Sequence, residues 1–485
     1  MIQGRGGRIF LSVLITLPVL YWLVLLVAPR AFDHLWFWFW FAKETPIPFW
    51  WLLLLPAGLL FLLLPTLLRK IPSSLLAITL LVLFGYITQW TFTLIEGRGI
   101  EPMSEKMTYP EIAHSFFASK AVGEINVSEM IRTYDQLIVV DSLPRFPFIT
   151  KPPGHFLTYI ATERLGRLML GTPTATSDRL QQLANFASFL WPLLTFLALF
   201  PLYFLGRRFL SEEESRIMLL LYTLTPNIVL MTMHLDQCLL PSLFLSVVLL
   251  FLKSVEKESV VLTLLCGFLL GVASFFSFSM VTLFPLLGLW HGGAELLRAK
   301  RENNSWKTML VVSLRPTLTP LTLTLVGFAL FHIILLIGFD YNWVREYQVA
   351  QEAHGVWKIQ EWDIIRTIWV GFLDLFEYAV WIGFPIALFA LLRSGVTIKR
   401  LRKHSLRSGD AMILSLLFLL FLLSFFGKTV AETGRLWTFL LPLVLIVAVM
   451  GLRLFPKRFR STLLILLILL QFLHTFFMRW LQDFA

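Results

Sequence analysis

Long apolar runs alternate with short polar segments along the whole of this 485-residue chain. The runs are about 18–25 residues long, the length that an α-helix needs to cross a hydrocarbon core of about 30 Å. A soluble core does not need so many runs of that length. The pattern therefore predicts an all-α polytopic membrane protein with about 13 transmembrane helices, of which the first two, within residues 1–72, stand apart from a larger domain at 73–485.

The basic residues occupy the short segments between the apolar runs, and they give the chain a formal net charge of +11. If Arg5 and Arg8 start in the cytoplasm, the alternation of helices leaves every basic cluster on that side, as the positive-inside rule requires. This topology places the N-terminus in the cytoplasm and the C-terminus outside. A membrane thus explains the charge, and nucleic acid is not an expected partner. Cys238 and Cys266 lie in or beside apolar runs and indicate neither a disulfide framework nor a zinc site.

The segment 96–182 is the only long polar stretch, and the topology makes it a large first external loop. Two parts of it, Tyr109–Ala121 and His155–Leu170, carry apolar side chains at helical spacing. Such amphipathic segments are typical of helices that lie at the bilayer surface. We therefore expect this loop to be folded and to hold its polar side chains close to the membrane.

Two groups in this loop are candidates for chemistry. Glu105 and Glu111 flank Tyr109, and a carboxylate at the outer face can act as a general base, although both can equally be solvated loop acids. In Lys151–His155 the two prolines hold the chain extended and the glycine allows a turn just before a helix. Two cations at a helix N-terminus suit a phosphate, while the alternative is a rigid turn with a snorkelling lysine.

Two external turns later in the chain add further candidates. Asp236 lies where the fifth and sixth predicted helices meet, and ionisable groups at such places tend to be functional, although it can also be an ordinary turn cap. Lys428, Glu432 and Arg435 precede the twelfth helix. Arg435 can hold a phosphate bidentately with Glu432 orienting it. The alternative is a surface ion pair of little energetic weight.

These elements in this order resemble the GT-C superfamily of glycosyltransferases, which includes protein O-mannosyltransferases and the lipid A aminoarabinose transferase. The resemblance rests on the acid-Tyr element at 105–111, on Lys-Pro-Pro-Gly-His at 151–155, on Asp236, and on Glu-Thr-Gly-Arg-Leu-Trp at 432–437 followed by Pro442. It implies an enzyme that takes a sugar from a polyprenyl-phosphate donor and transfers it to a lipid, glycan or protein acceptor. Some members of the superfamily use a divalent metal ion, and no carboxylate cluster in this sequence indicates a ligand set for one.

Carried over residue by residue, the resemblance makes Glu105 or Glu111 the catalytic acid and Asp236 the second acid. Lys151 and His155 would face the lipid phosphate. Arg435, in the turn with Lys428 and Glu432, would assist them. The sequence departs from the superfamily where an Asp-Glu or Asp-Asp pair usually precedes the tyrosine, because it reads Glu105-Lys106 there. The two additional N-terminal helices are a second departure.

Two other functions fit part of the pattern. A secondary transporter or flippase would have discontinuous helices and ionisable groups near the midplane, and Asp374 and Glu377, three residues apart within the tenth helix, match the second feature. A catalytically inactive scaffold with the same fold would explain the missing acid pair. Assays with a polyprenyl-phosphate sugar discriminate between these functions and the transferase.

Overall fold

The computed structural model of the protein describes most of the chain. The described residues are 5–32, 35, 38, 40, 54–95, 101–108, 113–134, 151–230, 238–302, 306–358, 363–426 and 432–482. α-Helices account for most of them, and no β-strand occurs among them. The all-α prediction is therefore confirmed for the part of the chain that the structure describes.

Twenty-two α-helices, numbered in chain order, make up the described structure. They are α1 (Arg5–Val27), α2 (Leu54–Lys70), α3 (Ser74–Leu94), α4 (Glu101–Thr108), α5 (Ala113–Ala121), α6 (Val127–Arg132), α7 (Pro153–Leu170), α8 (Thr176–Leu197), α9 (Leu199–Gly206), α10 (Glu212–Tyr222), α11 (Pro226–Val229), α12 (Leu240–Glu256), α13 (Val260–Phe276), α14 (Leu283–Arg301), α15 (Trp306–Phe339), α16 (Trp343–Lys358), α17 (Ile364–Ile382), α18 (Phe384–Arg402), α19 (Ser408–Phe426), α20 (Thr433–Leu436), α21 (Leu441–Leu452) and α22 (Lys457–Leu481). A 3₁₀ turn, Phe278–Thr282, leads into α14.

The chain forms two compact units. Unit 1 comprises Met1–Ile100, Pro192–Thr232 and Ile365–Ala485, and unit 2 comprises Glu101–Trp191 and Met233–Ile364. Unit 1 thus contains α1–α3, α9–α11 and α17–α22, and unit 2 contains α4–α7 and α12–α16. The boundary between the units falls inside α8, at Pro192, which lies within this helix.

Six helical segments of the described structure are long and apolar enough to cross a bilayer. They are Arg5–Val27, Ser74–Leu94, Thr176–Gly206, Phe278–Arg301, Val312–Phe339 and Lys457–Leu481. The bent pair α17–α18 makes a seventh if it counts as one span. These segments support a multi-pass membrane protein. The structure does not account for all of the roughly 13 expected crossings, because α2, α12 and α13 have only 17 residues each and α10 ends after 11.

The bent pair turns by 118° at Gly383, where the sequence pattern predicts a single helix. Gly383 has a φ of 88°, in the left-handed region that glycine adopts without strain. The break leaves carbonyls at the end of α17 without helical donors. The Gln471 amide donates to the Ile382 carbonyl at 3.1 Å, and His474 Nε2 lies 2.8 Å from the Val380 carbonyl. The Gln471 side chain thus replaces a missing backbone donor at Ile382, as an apolar environment requires. His474 is a second partner of the Val380 carbonyl, which also accepts from the Gly383 N–H at 3.1 Å.

The N-terminal helix of unit 1 also packs on α22. Trp22 Nε1 donates to His474 Nδ1 at 3.2 Å, and the Tyr21 hydroxyl donates to Gln482 Oε1 at 3.1 Å. Because Nδ1 of His474 accepts, the ring proton resides on Nε2 and is directed to the Val380 carbonyl. One imidazole therefore connects α1, α17 and α22.

In unit 2, α13 and α15 cross at very short range. A Cβ at Gly267 would lie 1.9 Å from the Thr324 carbonyl oxygen, and a Cβ at Gly327 would lie 2.1 Å from the Leu264 carbonyl oxygen. Only glycine allows the two backbones to touch in this way, as at the small-residue crossings of membrane helices. Near the other end of α13, the Phe275 backbone lies against Gly154 at the start of α7.

Candidate functional site

The segment that begins α7 holds Lys151 in a fixed position in unit 2. The Tyr134 hydroxyl donates to the Lys151 carbonyl at 2.9 Å. Pro152 follows as the extended N-cap with a ψ of 163°, and Pro153 is the first helical residue. Proline suits this place because its missing N–H would have no partner in the first turn. Lys151 itself is half-buried, so its side chain lies at the edge of the packed segment.

Gly154 brings the first turn of α7 against the end of α13. A Cβ at this position would lie 2.3 Å from the Phe275 carbonyl oxygen, closer than any real contact. Any other residue would therefore push the two backbones apart. The Pro-Pro-Gly sequence sets both the direction of the chain and its close approach to α13.

His155 is buried in an aromatic cluster and is only 2% exposed. Its ring centroid lies 5.0 Å from that of Phe117 on α5 and 6.0 Å from that of Tyr159 on α7. Tyr159 in turn packs edge-on against Trp191 at 5.0 Å. The role of His155 at a lipid phosphate stays a prediction. In the structure, the His155 ring packs α7 against α5.

Three residues that the sequence analysis did not single out lie around the Lys151 segment. Tyr134 and Tyr341 are both buried, and Glu346 is 6% exposed on the first turn of α16. Burial raises the pKa of both phenols, and the charge of the nearby Glu346 raises it further. Their electrostatic coupling places a buried carboxylate close to the two tyrosines. Glu346 could have been noticed as an acid in the first turn of a helix, whereas nothing local distinguishes Tyr134.

Of the two candidate acids in the first loop, Glu105 and Glu111, the structure describes Glu105. Glu105 lies on α4 in unit 2 and is half-buried, and α4 packs against α5. Glu111 and Asp236 fall outside the described residues, as does Lys428. Their predicted roles stay predictions.

The late Glu432–Trp437 element forms a tight turn in unit 1. Arg435 and Glu432 form an ion pair at 2.9 Å, with side chains 11% and 29% exposed. Glu432 adopts a left-handed φ of 65°, which turns the chain into the short helix α20. The predicted pairing of Glu432 with Arg435 is thus present, and the low exposure of Arg435 gives it more weight than a solvated surface pair.

Two buried acids of α17 support this turn. Glu377 accepts a hydrogen bond from the Gly434 N–H at 3.3 Å, and the Thr433 hydroxyl donates to the Asp374 carbonyl at 3.2 Å. Both acids are 1% exposed. A Cβ at Gly434 would lie 2.1 Å from Trp381 Cγ, so glycine is required here as well. The Glu377 carboxylate and the Asp374 backbone carbonyl therefore anchor the segment that carries Arg435.

The predicted residues thus divide between the two units. Glu105, Lys151 and His155 belong to unit 2, and Glu432 and Arg435 belong to unit 1. Among the described residues no group of three or more His, Cys, Asp or Glu side chains is arranged to hold a metal ion. The sequence matches no protein-family model, and no curated protein is significantly similar to it.

Proposed function

We propose that this chain is a membrane glycosyltransferase of the GT-C type, which transfers a sugar from a polyprenyl-phosphate donor to an acceptor at the extracytoplasmic face. The observation that supports this best is the construction around Lys151. Its carbonyl accepts a hydrogen bond from Tyr134, and Gly154 allows the helix that follows to pack closely against α13. A lysine whose backbone is held directly before an 18-residue helix is suited to an anion such as a lipid phosphate.

The reaction proposed is an inverting displacement. A first-loop carboxylate, Glu105 or Glu111, takes the proton of the acceptor hydroxyl or amine while the acceptor attacks the anomeric carbon. The bond from that carbon to the phosphate oxygen breaks, and the lipid phosphate leaves with the electron pair. Lys151 stabilises the negative charge that develops on it. Arg435 is a second candidate for an anion contact.

The test is transfer from a radiolabelled polyprenyl-phosphate sugar by purified protein in detergent. Lys151→Gln should lower the transfer rate about 100-fold, the usual effect of removing one group that stabilises developing charge. Lys120→Gln is the matched control, because Lys120 is exposed on α5 of the same unit. It should stay within about twofold of the wild type. A wild-type protein that leaves every such donor intact overturns the proposal.

A second candidate function is lipid or solute transport, and the bent pair α17–α18 favours it. Discontinuous helices with nearby ionisable groups are typical of transporter sites. Here the break at Gly383 follows the buried acids Asp374 and Glu377 by less than three helical turns. Proteoliposomes with a fluorescent lipid distinguish the two functions. Flipping without any sugar transfer would favour transport, and transfer without flipping would favour the enzyme.

A further inference from the structure

Unit 2 contains a cavity of about 380 Å³ where the ends of α12, α13, α14 and α15 come together. Its lining includes two acids and two cations, Glu258, Glu295, Arg298 and Arg315. Valine and leucine side chains complete the wall beside them. This volume lies at the lower end of the range of small-molecule sites, about 300–1,000 Å³, so it suits a small polar group.

The shape of the cavity follows from two prolines of α15. Pro320 has no N–H, so the carbonyl of Pro316, four residues earlier, has no helical donor. His291 on α14 supplies one, with its Nε2 at 2.9 Å from the Pro316 oxygen. His291 and both prolines line the cavity. This bond joins α14 to α15 at the wall, so the cavity is part of the packed structure.

From the ends of two candidate spans, we expect the cavity to lie at the depth of lipid headgroups. The apolar segments Phe278–Arg301 and Val312–Phe339 are long enough to span a bilayer. Arg298 lies near the end of the first and Arg315 near the start of the second, on antiparallel neighbours. Basic side chains between helices at this depth are well placed to contact phosphate headgroups.

The charges in the lining are balanced, and this decides which headgroup fits. Glu295 lies 4.0 Å from Arg298, so a purely anionic headgroup that approached the arginines would also meet a carboxylate. A zwitterion, with one phosphate and one ammonium, satisfies both signs. A quaternary ammonium is usually held by aromatic rings. The lining residues of this cavity include no Phe, Tyr or Trp, and they offer carboxylates and hydroxyls that accept from a primary ammonium.

We propose that this cavity binds the aminoethyl phosphate ester of a phosphatidylethanolamine headgroup. Arg298 and Arg315 bind the phosphate oxygens, and Glu258 and Glu295 bind the ammonium group. The apolar part of the lining receives the glycerol end, and the acyl chains lie along α15. The site is independent of the sugar-transfer site, because none of its lining residues belongs to that site.

The test measures binding of short-chain phosphatidylethanolamine, phosphatidylcholine and phosphatidylglycerol to the full-length purified protein by native mass spectrometry. Phosphatidylethanolamine should bind at least tenfold tighter than the other two. Soluble phosphoethanolamine, used as a fourth probe, identifies the source of the headgroup. Weak binding of this probe shows that the lipid is the ligand, and equal binding assigns the site to a soluble ester of the same chemistry. Equal retention of all three lipids overturns the proposal.

Variants then test the roles of the two signs of charge. Arg315→Gln should lower affinity for phosphatidylethanolamine at least tenfold, while Arg301→Gln, at the exposed end of α14 and outside the lining, should leave it unchanged. Glu295→Gln leaves the lining with a net positive charge, so it should shift the preference toward phosphatidylglycerol. If Arg315→Gln and Arg301→Gln behave alike, or if Glu295→Gln leaves the preference unchanged, the assignment is wrong.

Discussion

The indole Nε1 of Trp40 donates to Glu377 Oε1 at 2.8 Å across 337 residues of sequence. The same oxygen accepts from the Gly434 N–H at 3.3 Å. One carboxylate oxygen of α17 therefore joins the segment after α1 to the turn that carries Arg435. The N-terminal part of the chain therefore helps to hold the turn that contains Arg435, a candidate site residue.

Removing this indole donor should destabilise unit 1. Trp40→Phe keeps a ring that can still pack on Trp381, whose centroid lies 4.6 Å from that of Trp40, but it leaves the buried Glu377 with one donor fewer. Leaving a buried hydrogen-bonding group without one of its partners costs about 1–3 kcal/mol. We expect a loss of that size in the free energy of unfolding, measured by denaturant titration in detergent. The control is Trp369→Phe, which changes an exposed tryptophan on α17, the helix that carries Glu377. An equal loss of stability in this variant would contradict the argument.

The close approach at the start of α7 predicts a strong effect of one methyl group. Gly154→Ala would place a Cβ 2.3 Å from the Phe275 carbonyl oxygen, so α7 must move away from α13. Overpacking of this kind costs about 1–3 kcal/mol. If the proposed function is right, the shift of Lys151 should also lower sugar transfer.

The matched control is Gly338→Ala on α15. Nothing lies within 4 Å of the Cβ that this change introduces. A helical Gly→Ala change in open space should stabilise by about 0.5–1 kcal/mol. Opposite signs for the two variants, measured by thermal unfolding, are the expected result, and a stabilising Gly154→Ala would contradict the packing.

The bond from Tyr134 to Lys151 gives a prediction that separates stability from function. Tyr134→Phe removes the hydroxyl that holds the Lys151 carbonyl, at a cost of about 0.5–1.5 kcal/mol. With a looser Lys151, the KM for the lipid donor should rise more than kcat falls. Tyr347→Phe, half-buried on α16, is the control. If Tyr134→Phe lowers kcat alone, Tyr134 acts in the chemical step and does not merely position Lys151.

Local sequence signals were sufficient to predict where α7 begins. The Pro-Pro-Gly run and the apolar spacing after it predict a helix at His155–Leu170, and the structure has one at Pro153–Leu170. The same holds for Tyr109–Ala121, where the described part forms α5. In both cases the signal lies within a few residues, where backbone sterics and helical periodicity act.

Other features depend on partners that are distant in sequence. The bend at Gly383 has only a Gly-Phe-Pro signal in the chain, and its stability comes from Gln471 and His474 on α22. Glu346 resembles any first-turn helix acid until Tyr134 and Tyr341 are placed beside it. Such sites arise from tertiary packing, which periodicity in a single sequence does not encode.

Glu214, in the first turn of α10, predicts a pH dependence of stability. Burial alone would raise the pKa of its carboxyl group, but hydrogen bonds from Arg453 and Ser211 outweigh burial and lower that pKa to about 2. Arg453 Nε donates at 2.7 Å, and the Ser211 N–H donates at 2.8 Å. A folded-state pKa below the ordinary value of 4.5 means that the ionised form favours the folded protein. The stabilisation is therefore complete above about pH 4.5 and is lost as the pH falls toward 2.

Glu214→Gln should accordingly lower the free energy of unfolding at pH 7, by up to about 1.5–3 kcal/mol for a pair that is partly exposed. The gap between wild type and variant should narrow steadily as the pH is lowered from 4.5 to 3 in thermal unfolding experiments. Glu213→Gln is the neighbouring control, because its ion pair with Arg69 is about half exposed and should contribute no more than about 1 kcal/mol. A gap that stays constant down to pH 3 would mean that Glu214 is not held in its ionised form by Arg453.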